Sequence, residues 1–164
     1  MSDRSFASKA QIIALRAVEA TDLPVLFEHQ RDPEANRMAV SNPRDEQAFA
    51  AHWARVFTDQ ETIARAVIAD GVLAGTVSCF RMDGVPSVGY WMTREHWGRG
   101  IATRAVAMLL SEVLTRPLHA RAASTNLASI RVLERNGFTI TGSRDAPADD
   151  RFPACTETLL RLER

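Results

Sequence analysis

The sequence contains little cysteine and no excess of charge of either sign. Only Cys79 and Cys155 occur, without a CxxC pair, and 20 basic residues balance 20 acidic ones. Two isolated cysteines are typical of small buried side chains in a reducing compartment. A net charge of zero gives no support to a general nucleic-acid or anionic-membrane binder. We therefore expect no nucleic-acid partner.

Long hydrophobic runs are also absent from the sequence. No apolar stretch approaches the ~20 residues of a transmembrane helix, and the opening MSDRSFASKAQ lacks the apolar core of a signal peptide. The 164 residues, 46% hydrophobic and 24% charged, suit one globular domain, and no repeat or linker divides them. We expect a single domain over residues 1–164, in the cytoplasm and without a membrane partner. Whether it forms a homodimer stays open.

The first half of the chain shows the periodicity of a strand, two helices and three strands. IIALRAV is expected to be a strand, and Asp22 to cap a helix LPVLFEHQRD with Pro24 in its first turn. A second helix is expected at roughly Glu46–Phe57. Asp70-Gly71 and Asp83-Gly84 predict hairpin turns between TIARAVIA, VLAGTVSCF and SVGYWM.

The second half alternates helices and strands. Ile101, Ala105 and Leu109 share a helix face that ends at TRP, and LHARAA is a short strand. Asn126 is expected to begin the helix NLASIRVLERN, and Gly137 to end it. FTITGS and CTETLLRLE are the last strands, with RDAPADDRFP as the loop between them. The order predicts an α+β or mixed α/β fold rather than a regular βαβ array.

The stretch REHWGRGIAT (residues 94–103) places two glycines between a strand and a helix. The unpaired N–H groups of a helix start form an anion site, and Gly98 and Gly100 bring no side chain that would keep a phosphate from the backbone. Arg94, Arg99 and Arg104 add positive charge nearby. There is no GxxxxGK[ST] loop, and Thr103 stands where a dinucleotide-binding GxGxxG would want a small residue. Glycines that only shape a turn are the alternative.

Two longer segments carry a family resemblance. VGYWMTREHWGRGIATRAVAMLL, followed by NLASIRVLERNGF, resembles the core of the GNAT superfamily of N-acetyltransferases. Within it the sequence is most similar to the ribosomal-protein N-terminal acetyltransferases of the RimJ/RimL type. The specific part is residues 88–138, with a GxGxA loop, an Asn-x-x-Ser helix and Asn-Gly-Phe. The resemblance implies a twisted, splayed sheet of six to seven strands, mixed but mostly antiparallel, flanked by about four helices.

The same resemblance implies acetyl-coenzyme A as co-substrate. Backbone N–H groups from Gly98 to Thr103 would hold its pyrophosphate, the edge of GYWM would pair with the pantetheine arm, and Asn126 would reach that arm. Trp97 differs from the Gln or Arg that relatives often have at the start of this loop, but tryptophan is common there in proteins of the RimJ/RimL type. The implied cofactor-binding residues are Tyr90, Trp91, Met92, Trp97, Gly98, Arg99, Gly100, Ile101, Ala102, Thr103 and Asn126.

The resemblance also implies a catalytic role for Ser129. Many relatives place a tyrosine seven residues after the asparagine as acid for the departing thiolate, and here that position is Leu133, which has no donor. Ser129, in the Asn-x-x-Ser pattern, is the remaining hydroxyl for this role. The alternative is a helical serine that bonds a backbone carbonyl. The oxyanion of the tetrahedral intermediate is expected to meet a backbone N–H at the end of GYWM.

No general base is identified. Ser87 and Val88 stand near where relatives often carry glutamate, and Glu95 and His96 beside the loop are more typical of solvated side chains. The other histidines lack metal-ligand spacing, so no metal is expected; these are His29, His52 and His119. Without a strong base, a peptide α-amine suits the enzyme better than lysine, by about 3.4 kcal/mol of deprotonation cost at neutral pH.

The sequence leaves two alternative functions open, one enzymatic and one non-catalytic. The first is an acetyl-CoA-dependent N-acetyltransferase that acts on a primary amine, either a protein N-terminus or a small molecule. Acceptor specificity is then expected in the first two helices and the loop near DAPADD. There Asp145, Asp149 and Asp150 either attract a cationic acceptor or form a solvated run. The second is a non-catalytic acyl-CoA-binding or regulatory module, which the missing tyrosine and glutamate would favour.

Overall fold

A computed structural model describes residues 11–164 of the chain. The expectation about a signal peptide therefore concerns residues that lie almost entirely outside the described part. The strands are β1 (Ile13–Ala17), β2 (Ile63–Ala69), β3 (Val72–Met82), β4 (Val85–Met92), β5 (Leu118–Ala123), β6 (Thr139–Ala146) and β7 (Cys155–Leu162). They form one sheet in the order β1-β2-β3-β4-β5-β7-β6. Only β4 and β5 are parallel neighbours, so the predicted mixed, mostly antiparallel sheet is confirmed.

Five α-helices flank this sheet within residues 11–164. They are α1 (Leu23–His29), α2 (Pro33–Ala39), α3 (Glu46–Thr58), α4 (Ile101–Glu112) and α5 (Leu127–Arg135). The helix α5 ends just before Gly137, as the sequence predicts. Gly137 has φ 88°, its N–H donates to the Glu134 carbonyl at 3.0 Å, and Phe138 N–H donates to the Leu133 carbonyl at 3.1 Å. This pair of bonds is a Schellman motif.

The helix not predicted from sequence is α2. The first helix was expected to continue through Asp32, but it ends at His29 because Pro33 disfavours a helical conformation at the preceding residue. Asp32 instead caps a new helix, and its side chain accepts from the Glu34 N–H at 3.0 Å. Asp22 is the N-cap residue of α1 as expected, but its side chain makes no capping hydrogen bond to that helix and instead accepts from the Arg16 guanidinium at 2.7 and 2.8 Å.

The second correction concerns the loop before the last strand. Arg144, Asp145 and Ala146 were assigned to the loop RDAPADDRFP but belong to β6. Pairing with β7 extends the strand, and Arg144 adds a 2.8 Å ion pair with Glu157 of β7. Such cross-strand partners are distant in sequence and do not show in local turn chemistry.

Two hydrophobic layers cover opposite faces of the sheet. On one face α1 and α3 contribute Leu26, Phe49 and Trp53, which pack with Ala66 of β2. On the other face α4 and α5 contribute a larger core with Val67, including Ile101, Val106, Leu109, Ile130 and Leu133. Adjacent residues of β2 serve the two layers because side chains alternate along a strand.

The sheet opens between β4 and β5. These strands pair at a single position, Ser87 with His119, and beyond it residues 88–92 have no ladder partner on that side within the described chain. On its other side β4 pairs with β3 along its whole length. The second half of β4 thus presents a free backbone edge, directly before the glycine loop and α4.

Candidate active site

The glycine loop has the conformation that the sequence predicts for an anion site. Gly98 and Gly100 have φ of 71° and 73°, and a Cβ at either position would meet open space. The helix α4 begins at the next residue, Ile101, with Gly100 as its N-cap. No backbone acceptor within residues 11–164 is paired with the N–H groups of residues 98–100, and the first helical N–H groups are unpaired by geometry. The loop therefore presents donors to solvent at the positive end of a helix.

The loop is held against β4, and its arginines differ in their surroundings. Trp97 Nε1 donates to the Met92 carbonyl at 2.9 Å and so joins the loop to the strand end. Arg94 forms an ion pair with Asp32 at 3.2 Å, which offsets much of its charge. Arg104 donates to the Gln11 carbonyl at 2.7 Å and stays without a carboxylate partner within the described chain, while Arg99 is exposed.

Consecutive residues of β4 point to the two layers. Tyr90 packs against the core under α4 and α5, whereas Trp91 Nε1 donates to the His29 carbonyl of α1 at 3.2 Å. Met92 is buried at the strand end. The free edge of β4 therefore divides two environments, one formed by the helices after it and one by the helices before it.

On the first of these faces, a pair of hydroxyl groups lies beside the open edge. Tyr90 Oη is 2.7 Å from Ser129 Oγ and 3.1 Å from the Ser129 carbonyl oxygen. Burial raises the pKa of Tyr90 to about 12, against the lowering effect of its bond with Ser129. Asn126 caps α5 by accepting from the Ser129 N–H at 3.2 Å, which fixes the first turn that carries the serine. Sequence reasoning missed the tyrosine hydroxyl, since no local signal joins Tyr90 to Ser129.

Several residues considered for acid or base chemistry are buried in the core, exposed to solvent or hydrogen-bonded to other groups. Leu133 is in the core, and the Ser87 hydroxyl is fully buried and donates to the Val85 carbonyl at 3.1 Å. Val88 is also buried. Glu95 is exposed, and His96 Nδ1 lies 2.6 Å from the Thr93 hydroxyl. Within the described residues no three His, Cys, Asp or Glu side chains are grouped as a metal site would require.

On the second face, Trp91 covers a cavity of about 100 Å³ between α1, α3 and the sheet. Its walls include Gly75 and Thr76 of β3 and two histidines, His29 and His52. His29 Nδ1 is buried without a hydrogen-bond partner, and burial, followed by the nearby His96, lowers the pKa of His29. Burial also lowers the pKa of His52 to about 4, with help from Arg44, Arg55 and Arg151. Both imidazoles are therefore neutral near pH 7.

The acidic residues of the β6–β7 region do not line this cavity. Asp145, Asp149 and Asp150 are exposed, and the residue of that loop that reaches the cavity is Arg151. Asp149 Oδ1 accepts from the N–H groups of Arg151 and Phe152 at 2.8 and 2.6 Å, which shapes the loop. The charge that this loop contributes to the cavity is therefore positive, and the part expected of Asp145, Asp149 and Asp150 in acceptor specificity stays a prediction.

Comparison with known proteins gives these features a family context. The family model "Acetyltransferase (GNAT) domain" matches residues 13–139. YdaF of Bacillus subtilis, whose name assigns it provisionally to the ribosomal N-acetyltransferases, is 33% identical over 97 residues. That match covers 55% of this chain and 53% of YdaF, about half the length of the relative.

Solved structures share the fold at low identity. The spermidine N-acetyltransferase of Vibrio cholerae, solved with CoA and spermine, has a TM-score of 0.79 at 16% identity, covering 92% of this chain and 95% of its own. The ribosomal-protein-S5-alanine acetyltransferase of Vibrio fischeri has a TM-score of 0.70 at 19% identity, covering 94% and 97%. The splayed seven-stranded sheet, the glycine loop before α4 and the family match agree, and the chain belongs to the GNAT acetyltransferase family.

Proposed function

We propose that this protein transfers an acetyl group from acetyl-CoA to a primary amine by direct attack within a ternary complex. The observation that carries the proposal is the free edge of β4 beyond Ser87, which runs directly into the unpaired N–H groups of the glycine loop. A free strand edge pairs with an amide-containing arm, and a helix start binds phosphate. The two features are continuous, as a ligand with both groups requires.

The cofactor assignment follows from this continuity. N–H groups from Gly98 to Thr103 bind the pyrophosphate, with Arg99 and Arg104 adding positive charge. The backbone of residues 90–92 pairs with the pantetheine arm, and Asn126 approaches the same arm from the start of α5. Family membership and the CoA in the Vibrio cholerae structure support this assignment.

Ser129 donates to the departing sulfur, and Tyr90 positions Ser129. The 2.7 Å contact with Tyr90 Oη distinguishes this serine from one that only bonds its own helix. A full proton transfer from Tyr90, whose pKa is raised to about 12, to a thiolate of pKa about 8.5 would cost about 5 kcal/mol. Tyr90 therefore keeps its proton and orients the serine hydroxyl. Ser129, a weaker acid than tyrosine, also keeps its proton and stabilises the departing thiolate through a hydrogen bond. The proton that the attacking amine loses balances the one that the sulfur finally takes up.

The acceptor approaches from the opposite side of β4, beside the cavity under Trp91. An α-amine is the favoured acceptor, because its neutral fraction at pH 7 far exceeds that of lysine. The ribosomal N-acetyltransferase names among the relatives support a protein N-terminus and the RimJ/RimL-like branch. The two free cysteines fit a cytoplasmic location.

The test is acetyl-CoA-dependent release of free thiol with a panel of amines. The panel holds short peptides with free N-termini, the same peptides blocked at the N-terminus but carrying lysine, and small-molecule amines. We expect turnover with free N-termini and little with lysine alone. Binding of acetyl-CoA without turnover on any amine would support the non-catalytic module instead.

A further inference from the structure

Two arginine side chains enter the cavity under Trp91 from loops that are distant in sequence. Arg44 precedes α3, and Arg151 lies between β6 and β7. Both residues are partly buried, and both line the cavity together with His29 and His52. This cavity therefore concentrates positive charge on the face of β4 from which we propose that the acceptor enters.

The backbone around both arginines is fixed by hydrogen bonds. The Gln30 side chain accepts from the Arg44 N–H at 2.7 Å and donates to the Arg44 carbonyl at 3.0 Å. Asn42 N–H donates to the Arg151 carbonyl at 2.8 Å, and the Arg151 guanidinium donates to the Asn42 carbonyl. The two loops are thus joined to each other and to α1. The backbone of both arginines and the guanidinium of Arg151 are therefore held in place before any ligand arrives, which lowers the entropic cost of binding.

Neither guanidinium group is paired with a carboxylate in the part of the chain that the structure describes. None of the residues that line the cavity is acidic, and neither guanidinium belongs to an ion pair within residues 11–164. The neighbouring carboxylates bond backbone groups. Asp45 accepts from the Ala48 N–H at 2.8 Å, and Asp149 accepts from two N–H groups of its own loop.

Unmet polar groups in the cavity point to a missing partner of opposite charge. Arg151 Nε and His29 Nδ1 are both buried without a hydrogen-bond partner. Burial lowers the pKa of Arg151 to about 10, with Arg44 adding repulsion and Asp149 opposing it. Burial also lowers the pKa of Arg44, to which Arg55 contributes. An anion between the guanidinium groups would satisfy the donors and remove the repulsion.

We propose that the acceptor amine carries a carboxylate or phosphate group, which binds between Arg44 and Arg151 while the amine reaches the β4 edge. The proposal rests on the proposed function, because it names the class of amine that this acetyltransferase takes. The cavity of about 100 Å³ admits an anionic head group rather than a whole peptide. Arginine suits either anion, since its planar guanidinium binds both through two parallel hydrogen bonds.

Matched acceptors test the charge requirement. One series is Ala-Asp-amide against Ala-Asn-amide and Ala-phosphoserine-amide against Ala-Ser-amide. A second series, for a small-molecule source, is 4-aminobutyrate against its amide. All are compared at equal concentrations of neutral amine. We expect kcat/KM to favour the anionic member of at least one series by ~10- to 100-fold, the range for hydrogen bonds to charged groups.

Three cavity variants and one control variant assign that preference to the cavity. Arg44→Met is expected to abolish most of the preference, because it raises KM for the anionic acceptor far more than KM for the neutral one. Arg44→Glu is expected to reverse it in favour of an Ala-Lys-amide acceptor. Arg55→Met is the charge-matched control, because Arg55 is exposed on α3 and does not line the cavity. Arg151→Met repeats the test from the second loop, with circular dichroism to confirm folding.

Failure of this proposal is distinguishable from failure of the proposed function. Turnover of neutral and anionic acceptors with equal kcat/KM overturns the anionic acceptor and leaves the acetyltransferase intact. If no acceptor turns over, calorimetric titration with N-acetyl-Ala-Asp-amide and N-acetyl-Ala-Asn-amide decides instead. Equal or absent binding of the two overturns the proposal, and tighter binding of the aspartyl peptide, lost in Arg44→Met, supports it.

Discussion

Two adjacent residues of β4, Tyr90 and Trp91, lead into two chemically different regions. On the Tyr90 side the polar groups are neutral hydroxyls, held 2.7 Å apart at the start of α5. On the Trp91 side they are two histidines and two arginines around a cavity. The difference follows from the alternation of side chains along a strand. One backbone edge can therefore hold the acyl donor while its two faces supply separate environments for the leaving group and the acceptor.

The largest effect on kcat is expected from a substitution on the Tyr90 side of β4. If Ser129 donates a hydrogen bond to the departing sulfur, Ser129→Ala should lower kcat by ~10²–10³, the range for loss of one donor to an anion that develops in the transition state. The affinity for acetyl-CoA should change little, since the serine meets only the sulfur. Steady-state kinetics with calorimetric titration of acetyl-CoA separate these effects. A loss below threefold would return Ser129 to a structural role and leave water as the hydrogen-bond donor to the departing sulfur.

A pair of glycine variants distinguishes loss of cofactor binding from backbone strain. Gly100→Val places a branched side chain where phosphate is expected, and acetyl-CoA affinity should fall by ~10- to 100-fold through lost N–H contacts. Strain from the left-handed φ of 73° adds a stability cost of about 1–2 kcal/mol. Gly71→Val is the matched control, because Gly71 has φ 81° and open space but lies in the β2–β3 turn. Equal acetyl-CoA affinity in the two variants would remove the pyrophosphate assignment.

A smaller effect is expected from the group that positions the serine. Tyr90→Phe keeps the ring in its core but removes the hydroxyl, and kcat should fall by about 2- to 10-fold, as for one neutral hydrogen bond. KM for the acceptor should stay constant, because the acceptor lies on the other face of β4. A change confined to the acceptor KM would contradict the division of the two faces.

The smallest effect is expected on the pH dependence of folding stability, through His52 on the Trp91 side of β4. The pKa of His52 is lowered to about 4 in the folded protein, while the unfolded chain takes up a proton near pH 6.5. Stability should therefore be complete above pH 6.5 and fall as the pH decreases toward 4. Because His52 is partly exposed, the loss should stay within about 1–2 kcal/mol. Urea unfolding of His52→Gln should show a flatter pH dependence over this range, and an identical dependence would exclude His52 as its cause.

Features that depend on neighbouring residues could be predicted from the sequence, whereas contacts between residues distant along the chain could not. The turn at Asp70-Gly71, the helix start after Gly100 and the cap at Asn126 are local backbone preferences, and all three are confirmed. The helix α2 also has a local signal, because Asp32 is a favourable N-cap residue and Pro33 suits the first helical position. The pairs Tyr90–Ser129 and Arg44–Arg151 have none, since only the assembled sheet and joined loops bring them together.

The most direct test of the division at β4 is a crystal structure with coenzyme A bound, in which the distance from its sulfur to Ser129 Oγ is measured. We predict the pantetheine arm along residues 90–92, the pyrophosphate on the N–H groups of residues 98–103, and the sulfur within ~3.5 Å of Ser129 Oγ, the outer range of such contacts. The cavity under Trp91 should open toward the same sulfur. A pantetheine arm away from the β4 edge, or a sulfur beyond reach of Ser129, would contradict the account.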